Sequence, residues 1–267
     1  MARKMLVDCQ PKTHQDKTMK HLLVAALATL SCATSFAAAI TLTGTVRDFN
    51  AEGVNFEASS YASGAGFVNS TLTGPSPTLT ALGATKISNS GTGAFSNWYT
   101  NTTDSMAYGL TLNETAPGSG IYQYSSSSFF PIDGALLGNQ GRSHNYHFTY
   151  AIASTFSYVS GAGQNFAFAG DDDVWVYFDK QLGIDLGGVH GAQSQTVNLD
   201  TLMSGKASGD YSFDFFFAER HTTQSNLKIT TSLVFKDTPN NVPEPGSLAL
   251  MGLALAGLGL QRRRTRT

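Results

Sequence analysis

Residues 170–178 read Gly-Asp-Asp-Asp-Val-Trp-Val-Tyr-Phe, which places three carboxylates at the entry of a wholly apolar run. The β-branched and aromatic residues favour a strand, and the unbroken apolar pattern predicts burial on both of its faces. Three adjacent carboxylates repel one another unless a cation or hydrogen-bond donors offset their charge. Because clustered hard oxygen ligands suit Ca²⁺, Asp171, Asp172 and Asp173 are candidate metal ligands. The alternative is a turn with solvated aspartates, since Asp and Gly are common turn residues.

The composition predicts an all-β fold. The 267-residue chain contains 27 glycines and only 13% charged residues, and it lacks long helical heptads. Apolar and polar residues alternate in several segments, which we interpret as strands, whereas 51–96 reads as loops and short edge strands. We expect a single β-sandwich over residues 40–238, in which the strand over 211–217 pairs with that over 227–235. Asp179-Lys180-Gln181 is predicted to form the turn of a hairpin that follows the aspartates.

Residues 1–39 are typical of a secretory signal region. Met19-Lys20-His21 supplies a basic start, residues 22–30 an apolar core, and Ala37-Ala38-Ala39 a small-residue cleavage pattern. The polar stretch before Met19 is long for such a signal, which favours Met19 as the true start. Both cysteines of the chain, Cys9 and Cys32, precede the cleavage pattern, so we expect the exported protein to carry neither a disulfide nor a cysteine metal site.

Residues 239–267 form a linker, a short apolar segment at 247–260 and an arginine-rich tail. A helix over the apolar segment would be about 21 Å long, short of a hydrocarbon core of about 30 Å. The order of Pro243-Glu244-Pro245, apolar helix and Arg262, Arg263 and Arg264 resembles the PEP-CTERM sorting signal of Gram-negative exopolysaccharide producers. This resemblance implies a transient transmembrane anchor and recognition by an exosortase-type membrane protease. An ordinary tail anchor is the alternative.

Without its two terminal segments the chain is acidic, although its net charge as a whole is only −2. Between Ile40 and Val242 there are 8 Lys and Arg against 16 Asp and Glu, a net charge of 8 − 16 = −8. Such a domain is a poor partner for nucleic acid and a plausible binder of cations.

Five blocks of the chain resemble the fibro-slime domain, at residues 129–134, 144–149, 170–176, 185–190 and 218–221. The resemblance extends roughly from Thr43 to Leu233. Fibro-slime domains occur in secreted bacterial surface proteins and in extracellular signalling and matrix proteins of slime moulds. The resemblance therefore implies a role in an extracellular matrix or biofilm.

The Asp-Asp strand entry and the last strands also resemble the protective-antigen-type β-sandwich, some members of which bind sugars through Ca²⁺. In those members two aspartates joined by a cis peptide, together with a loop between the last strands, hold the ion. The resemblance implies Asp171, Asp172 and Asn226 as ligands here, with His190, Glu219, Arg220 and His221 as neighbouring ligand-binding residues. The third aspartate, Arg220 and His221 depart from the pattern. In the alternative arrangement, Asp171 to Asp173 accept hydrogen bonds from Arg220, His190 or backbone amides.

The function we expect is that of an exported, non-catalytic protein at the cell surface or secreted. Its sandwich would bind an extracellular polysaccharide or glycan. One alternative is a glycoside hydrolase, in which Asp171 to Asp173 and Glu219 supply the two carboxylates that flank the scissile bond. The other alternative is a purely structural component of a surface coat.

Overall fold

The computed structural model describes residues 37–57 and 63–236. The signal region up to residue 36 and the whole sorting signal lie outside these described residues. Of the described residues, 44% are in strands and 5% in helices, which confirms the all-β prediction. Within them no helix is long and apolar enough to cross a bilayer. The apolar segment 247–260 falls outside, so its role as an anchor stays a prediction.

The strands are short to medium in length and follow one another through turns. They are β1 Ala39–Asp48, β2 Ser63–Gly64, β3 Ser105–Glu114, β4 Tyr122–Ser126, β5 Phe148–Tyr158, β6 Asn165–Gly170, β7 Asp173–Phe178, β8 Gln181–Gly188, β9 Gln193–Asn198, β10 Gly209–Glu219, β11 Leu227–Thr231 and β12 Val234–Phe235. A single turn of α-helix, α1 Leu199–Leu202, follows β9, and Gly83–Thr85 and Phe95–Asn97 form 3-10 turns.

The strands form one antiparallel sheet in the order β2-β8-β7-β10-β5-β1-β3-β4-β11-β6-β9, and β12 pairs with β5. The sheet curls so that β6 faces β7 and β10 across an aromatic core. The ring centroid of Phe166 on β6 lies 5.6 Å from that of Phe178 and 5.4 Å from that of Phe213. This two-layered arrangement is the expected β-sandwich.

The predicted pairing of 211–217 with 227–235 is wrong. β10 pairs with β5 and β7, whereas β11 pairs with β4 and β6 in the opposite layer. Both strands bury alternate residues in the same core, such as Phe215 on β10 and Ile229 on β11. An alternating pattern identifies the buried face of a strand but leaves its hydrogen-bonded neighbour undetermined.

Strand β7 is buried on both faces, as its unbroken apolar sequence predicts. Val174, Val176 and Phe178 point into the core of the sandwich. Trp175 and Tyr177 point the other way, into an outer cluster built with the segment 49–104, which we call the cap. The described residues of the cap, 49–57 and 63–104, contain loops, the two 3-10 turns and the two-residue strand β2, in agreement with the prediction for 51–96. Its own aromatic residues Phe95, Trp98 and Tyr99 are buried in this cluster.

The hairpin that follows the aspartates forms as predicted. Asp179 and Lys180 connect β7 to β8 with φ angles of 49° and 65°. Positive φ at both central residues is the requirement of a type I′ turn, whose twist matches that of the flanking strands. Because β8 and β10 both run antiparallel to β7, their ends at Gly188 and Glu219 return to the point where β7 begins.

Candidate functional site

The three aspartates lie where β6 ends and β7 begins, with Asp171 and Asp172 in a tight turn and Asp173 as the first residue of β7. Asp172 has a φ of 60°, in the left-handed region that non-glycine residues rarely adopt. Asp171, Asp172 and Asp173 are 5%, 4% and 0% exposed, so their charges are removed from water. All peptide bonds of the described residues are trans, in contrast to the cis link implied by the resemblance. We call this element the aspartate turn.

Asp171 fixes the loop between β10 and β11. The backbone N–H of Asn226 donates to its Oδ1 at 2.5 Å, and the side-chain Nδ2 of Asn226 donates to its Oδ2 at 2.6 Å. The structure therefore brings the two predicted ligands together. Asn226 meets the carboxylate as a donor, so both oxygens of Asp171 are already engaged.

Asp172 joins the two loops that flank the turn. Its Oδ2 accepts the backbone N–H of Arg220 at 2.7 Å, and its Oδ1 accepts that of His190 at 3.3 Å. Burial raises the pKa of Asp172 well above its ordinary value, although the positive charge of Arg220 acts in the opposite direction.

Asp173 forms a buried ion pair with Arg220. The Nε of Arg220 lies 2.7 Å from Oδ2 of Asp173, while the backbone N–H of Gly188 donates to Oδ1 at 2.5 Å. The Arg220–Asp173 contact is an ion pair rather than an aligned hydrogen bond, because Nε and Oδ2 both lack a hydrogen-bond partner. The same guanidinium donates from Nη1 to the carbonyl of Asn55 at 3.2 Å and lies 5.5 Å from the ring centroid of Trp98. Arg220 thus ties the aspartate turn to the cap.

Glu219 is the most isolated charged group at the site. Its side chain is completely buried, and neither carboxylate oxygen has a hydrogen-bond partner. Burial, followed by the nearby charge of Asp172, raises the pKa of Glu219 well above its ordinary value. The neighbouring Ser225 acts in the opposite direction and lowers that pKa, although its hydroxyl completes no hydrogen bond with the carboxylate. A protonated carboxyl is favoured there, because a buried carboxylate without donors is costly.

The two predicted histidines lie in different surroundings. His190 is partly exposed beside the turn, and its Nδ1 lies 2.9 Å from the carbonyl of Gly191. His221 points away from the aspartates, with its Nδ1 3.4 Å from Oε2 of Glu57 in the cap. The other oxygen of Glu57 lies 2.6 Å from Nε2 of the buried His147. This contact between two histidines and one glutamate was not predicted, since Glu57 and His147 are separated by 90 residues.

The aspartate turn, as arranged, does not fit a Ca²⁺ ion. Calcium takes 6–8 oxygen ligands at roughly 2.3–2.6 Å, all of them free to point at the ion. Here the oxygens of Asp171, Asp172 and Asp173 face N–H donors or a guanidinium, and Asn226 presents its nitrogen. Among the residues that the structure describes, no three side chains of His, Cys, Asp or Glu are grouped so as to hold a metal. The arrangement corresponds instead to the alternative of internal hydrogen bonds.

Asp48 is a buried carboxyl away from the aspartate turn, and its raised pKa predicts that stability depends on pH. Asp48 at the end of β1 accepts hydrogen bonds from the backbone of Leu137 at 2.9 Å and from Asn145 at 2.8 Å, while its Oδ1 has no partner. Burial raises its pKa from 3.8 to about 6. Since the folded state holds this proton more tightly, the resulting stabilisation is present below pH 3.8 and is lost as the pH rises through about 6.

We therefore expect Asp48→Asn to increase the free energy of unfolding at pH 7.5 by about 1–2 kcal/mol, allowing for screening by solvent, and to change it little at pH 4. Urea denaturation at the two pH values measures the difference. Glu52→Gln, which removes an exposed acid of the cap, is the control and should behave alike at both. A gain of equal size at pH 4 would contradict the prediction.

Two family models match the chain. Residues 132–246 match the PA14 domain and residues 241–264 match the PEP-CTERM protein-sorting motif. The first match contains β5 to β12, and hence the aspartate turn and both loops around it. The second confirms the resemblance of the C-terminus to this sorting signal, which indicates export and sorting to the cell surface.

The chain is also similar to proteins of Dictyostelium discoideum. It is 51% identical to Protein psiC over 137 residues, 48% identical to Protein psiD over 139, and 42% identical to Protein psiQ over 140. These matches cover 48%, 49% and 47% of this chain, but only 26%, 26% and 14% of the relatives. The chain thus spans about a quarter or less of the length of these curated relatives. The narrower assignment to the fibro-slime domain stays a prediction.

Proposed function

We propose that this chain is an exported surface protein whose β-sandwich binds carbohydrate or matrix polymer without catalysis, in an extracellular matrix or biofilm of the fibro-slime kind. The observation that carries the proposal is the presence in one chain of a PA14 domain and a PEP-CTERM sorting motif. A PA14 domain is mainly of a carbohydrate-binding type. The sorting motif supports a location where polysaccharide is available.

The binding surface in this proposal is the rim formed by loops 189–192 and 220–226 around the aspartate turn. His190 lies half-buried at this rim, with its Nδ1 2.9 Å from the carbonyl of Gly191 and its Nε2 buried without a hydrogen-bond partner. Glu219 and Arg220 lie beneath the rim as buried groups. The complete burial of Glu219 supports a binding role over the hydrolase alternative, because a catalytic acid must reach the glycosidic oxygen. The net charge of −8, from 8 basic and 16 acidic residues between Ile40 and Val242, favours a neutral polymer over an acidic one.

A glycan array tests the proposal with the full chain, once with Ca²⁺ and once with chelator. We expect binding to at least one neutral glycan and its loss in His190→Ala. The matched control is His144→Ala, a histidine of similar exposure in the loop before β5. Equal binding by the His190 variant would reject the rim, and no binding by any form would favour the structural-coat alternative. Turnover of a glycan would favour the hydrolase. Loss of binding in chelator would support the calcium-dependent form.

Processing of the C-terminus gives a further prediction. In a host that carries an exosortase, we expect cleavage near Pro243-Glu244-Pro245 and release of the apolar segment and the arginines. Mass spectrometry of the exported protein should find a C-terminus close to this motif. Pro243→Ala should block cleavage, and Pro239→Ala in the same linker should not. Recovery of exported protein that still ends in Thr267 would contradict the prediction.

A further inference from the structure

We infer that Arg220 is the built-in counter-cation of the aspartate turn, so that the proposed binding rim is held together without calcium. The inference deepens the proposed function, because it concerns the cofactor requirement of the same rim. It stands on the ion pair and hydrogen bonds of the turn.

Four contacts fix Arg220 between the aspartate turn and the cap. Nε lies 2.7 Å from Oδ2 of Asp173, and the backbone N–H donates to Oδ2 of Asp172 at 2.7 Å. Nη1 donates to the carbonyl of Asn55 at 3.2 Å, and the guanidinium lies over Trp98. Arg220 and Asp173 are 6% and 0% exposed. A guanidinium is planar, always charged and weakly hydrated, which suits it to a buried position of this kind.

The remaining donors complete the shell around the aspartates. Backbone N–H groups of Gly188, His190 and Asn226 and the amide of Asn226 occupy the carboxylate oxygens that Arg220 does not reach. A Ca²⁺ ion at the turn would have to displace several of these donors. It would also lie close to the fixed positive charge of Arg220, which is unfavourable in a buried site. The offset that three adjacent carboxylates require, one positive charge and several N–H donors, is therefore supplied from within the chain.

The test is a double-mutant cycle on the full chain, read by thermal unfolding. Arg220→Gln and Asp173→Asn should each lower the melting temperature by on the order of 10 °C, because each leaves a buried charge without its partner. The double variant should lose clearly less than the sum of the two, since neither charge then remains. Arg142→Gln, the same change at a half-buried arginine of another loop, is the matched control and should shift the melting temperature by less than about 2 °C.

The calcium arm uses the unmodified chain with ~10 mM Ca²⁺ or with chelator, above the ~10⁻⁴–10⁻³ M range of extracellular calcium modules. We expect the same melting temperature in both and no calorimetric heat of binding. A rise in Ca²⁺ that Asp172→Asn abolishes would overturn the inference, as would additive effects in the cycle. If Arg220→Gln does not fold, folding of the double variant demonstrates the coupling. If neither folds, Arg220→Lys should fold without a Ca²⁺ response, and a Ca²⁺ requirement there would also overturn it.

Glycan binding enters neither arm. A chain that binds no glycan but shows the coupling would refute the proposed function and leave the inference intact. A chain that binds a glycan in the array but whose melting temperature rises in Ca²⁺ would refute the inference and leave the proposed function intact.

Discussion

Trp175→Ala is expected to lower the free energy of unfolding by about 3–5 kcal/mol, the range for a large aromatic residue removed from a core. Trp175 is completely buried between β7 and the cap, with its ring centroid 5.8 Å from that of Phe95. Its Nε1 also donates to Oδ1 of Asp185 at 3.2 Å. Truncation leaves a cavity in the outer cluster and an unpaired acceptor on β8. Urea denaturation followed by circular dichroism measures the loss.

The matched control is Trp175→Phe, which retains most of the ring packing but removes the N–H donor, and should lose about 1–2 kcal/mol. The chain has two tryptophans, so in Trp175→Ala the fluorescence of Trp98 reports on the cap alone. We expect that emission to shift to the red before the sheet unfolds. A loss below about 1 kcal/mol would mean that the cap is not held by this side chain.

Gly170→Ala is expected to lower the free energy of unfolding by about 3 kcal/mol, near the upper end of ordinary overpacking. A Cβ at this position would lie 2.3 Å from the carbonyl oxygen of Asn226 and 2.7 Å from the ring of Phe168. The first neighbour is backbone, so β6 and β11 must separate. Because Gly170 directly precedes the aspartate turn, the contacts between Asp171 and Asn226 should loosen with it.

Gly191→Ala provides the comparison. This glycine follows His190, and a Cβ there meets no atom within 4 Å. We expect a change within about 0.5 kcal/mol. Chemical denaturation of both variants measures the free energy of unfolding. Similar losses of stability in the two would contradict the prediction that a Cβ at position 170 clashes with its neighbours.

The sequence predicts the strands and turns of this fold better than it predicts which strands pair with one another in the sheet. An apolar run without polar interruptions requires two buried faces, and β7 has them in the sandwich core and the outer cluster. The hairpin turn at Asp179 and Lys180 is likewise determined locally. The pairing of β10 and β11 depends on where the curled sheet places each strand, and a periodic pattern carries no information on this. For that reason the predicted pairing was wrong although both segments do form strands.

At the candidate site, too, the local sequence predicts some features, whereas others depend on how distant segments come together. The residue types at the aspartate turn indicate that three negative charges need an offset, and the sequence leaves open whether a cation or donors provide it. The decision depends on Arg220, which reaches Asp173 only because β10 and β7 lie side by side. Glu57 and His147 had no local signal at all, since their contact depends on how the cap folds against the sheet.

The order of the strands has a consequence for how and when the chain folds. β1 is the first strand in the sequence but lies inside the sheet, where Ala39 pairs with Asn113 and Gly44 with Ile152. β5 in turn pairs with β10, in which Phe148 lies opposite Glu219. Such distant pairings require large loops to close, and the chain loses this conformational entropy before the strand contacts can stabilise it. We therefore expect slow folding, in the range of milliseconds to seconds. The central strands cannot pair until the chain is available from Ala39 to Glu219, so nearly the whole domain must be present as unfolded chain before its sheet can form.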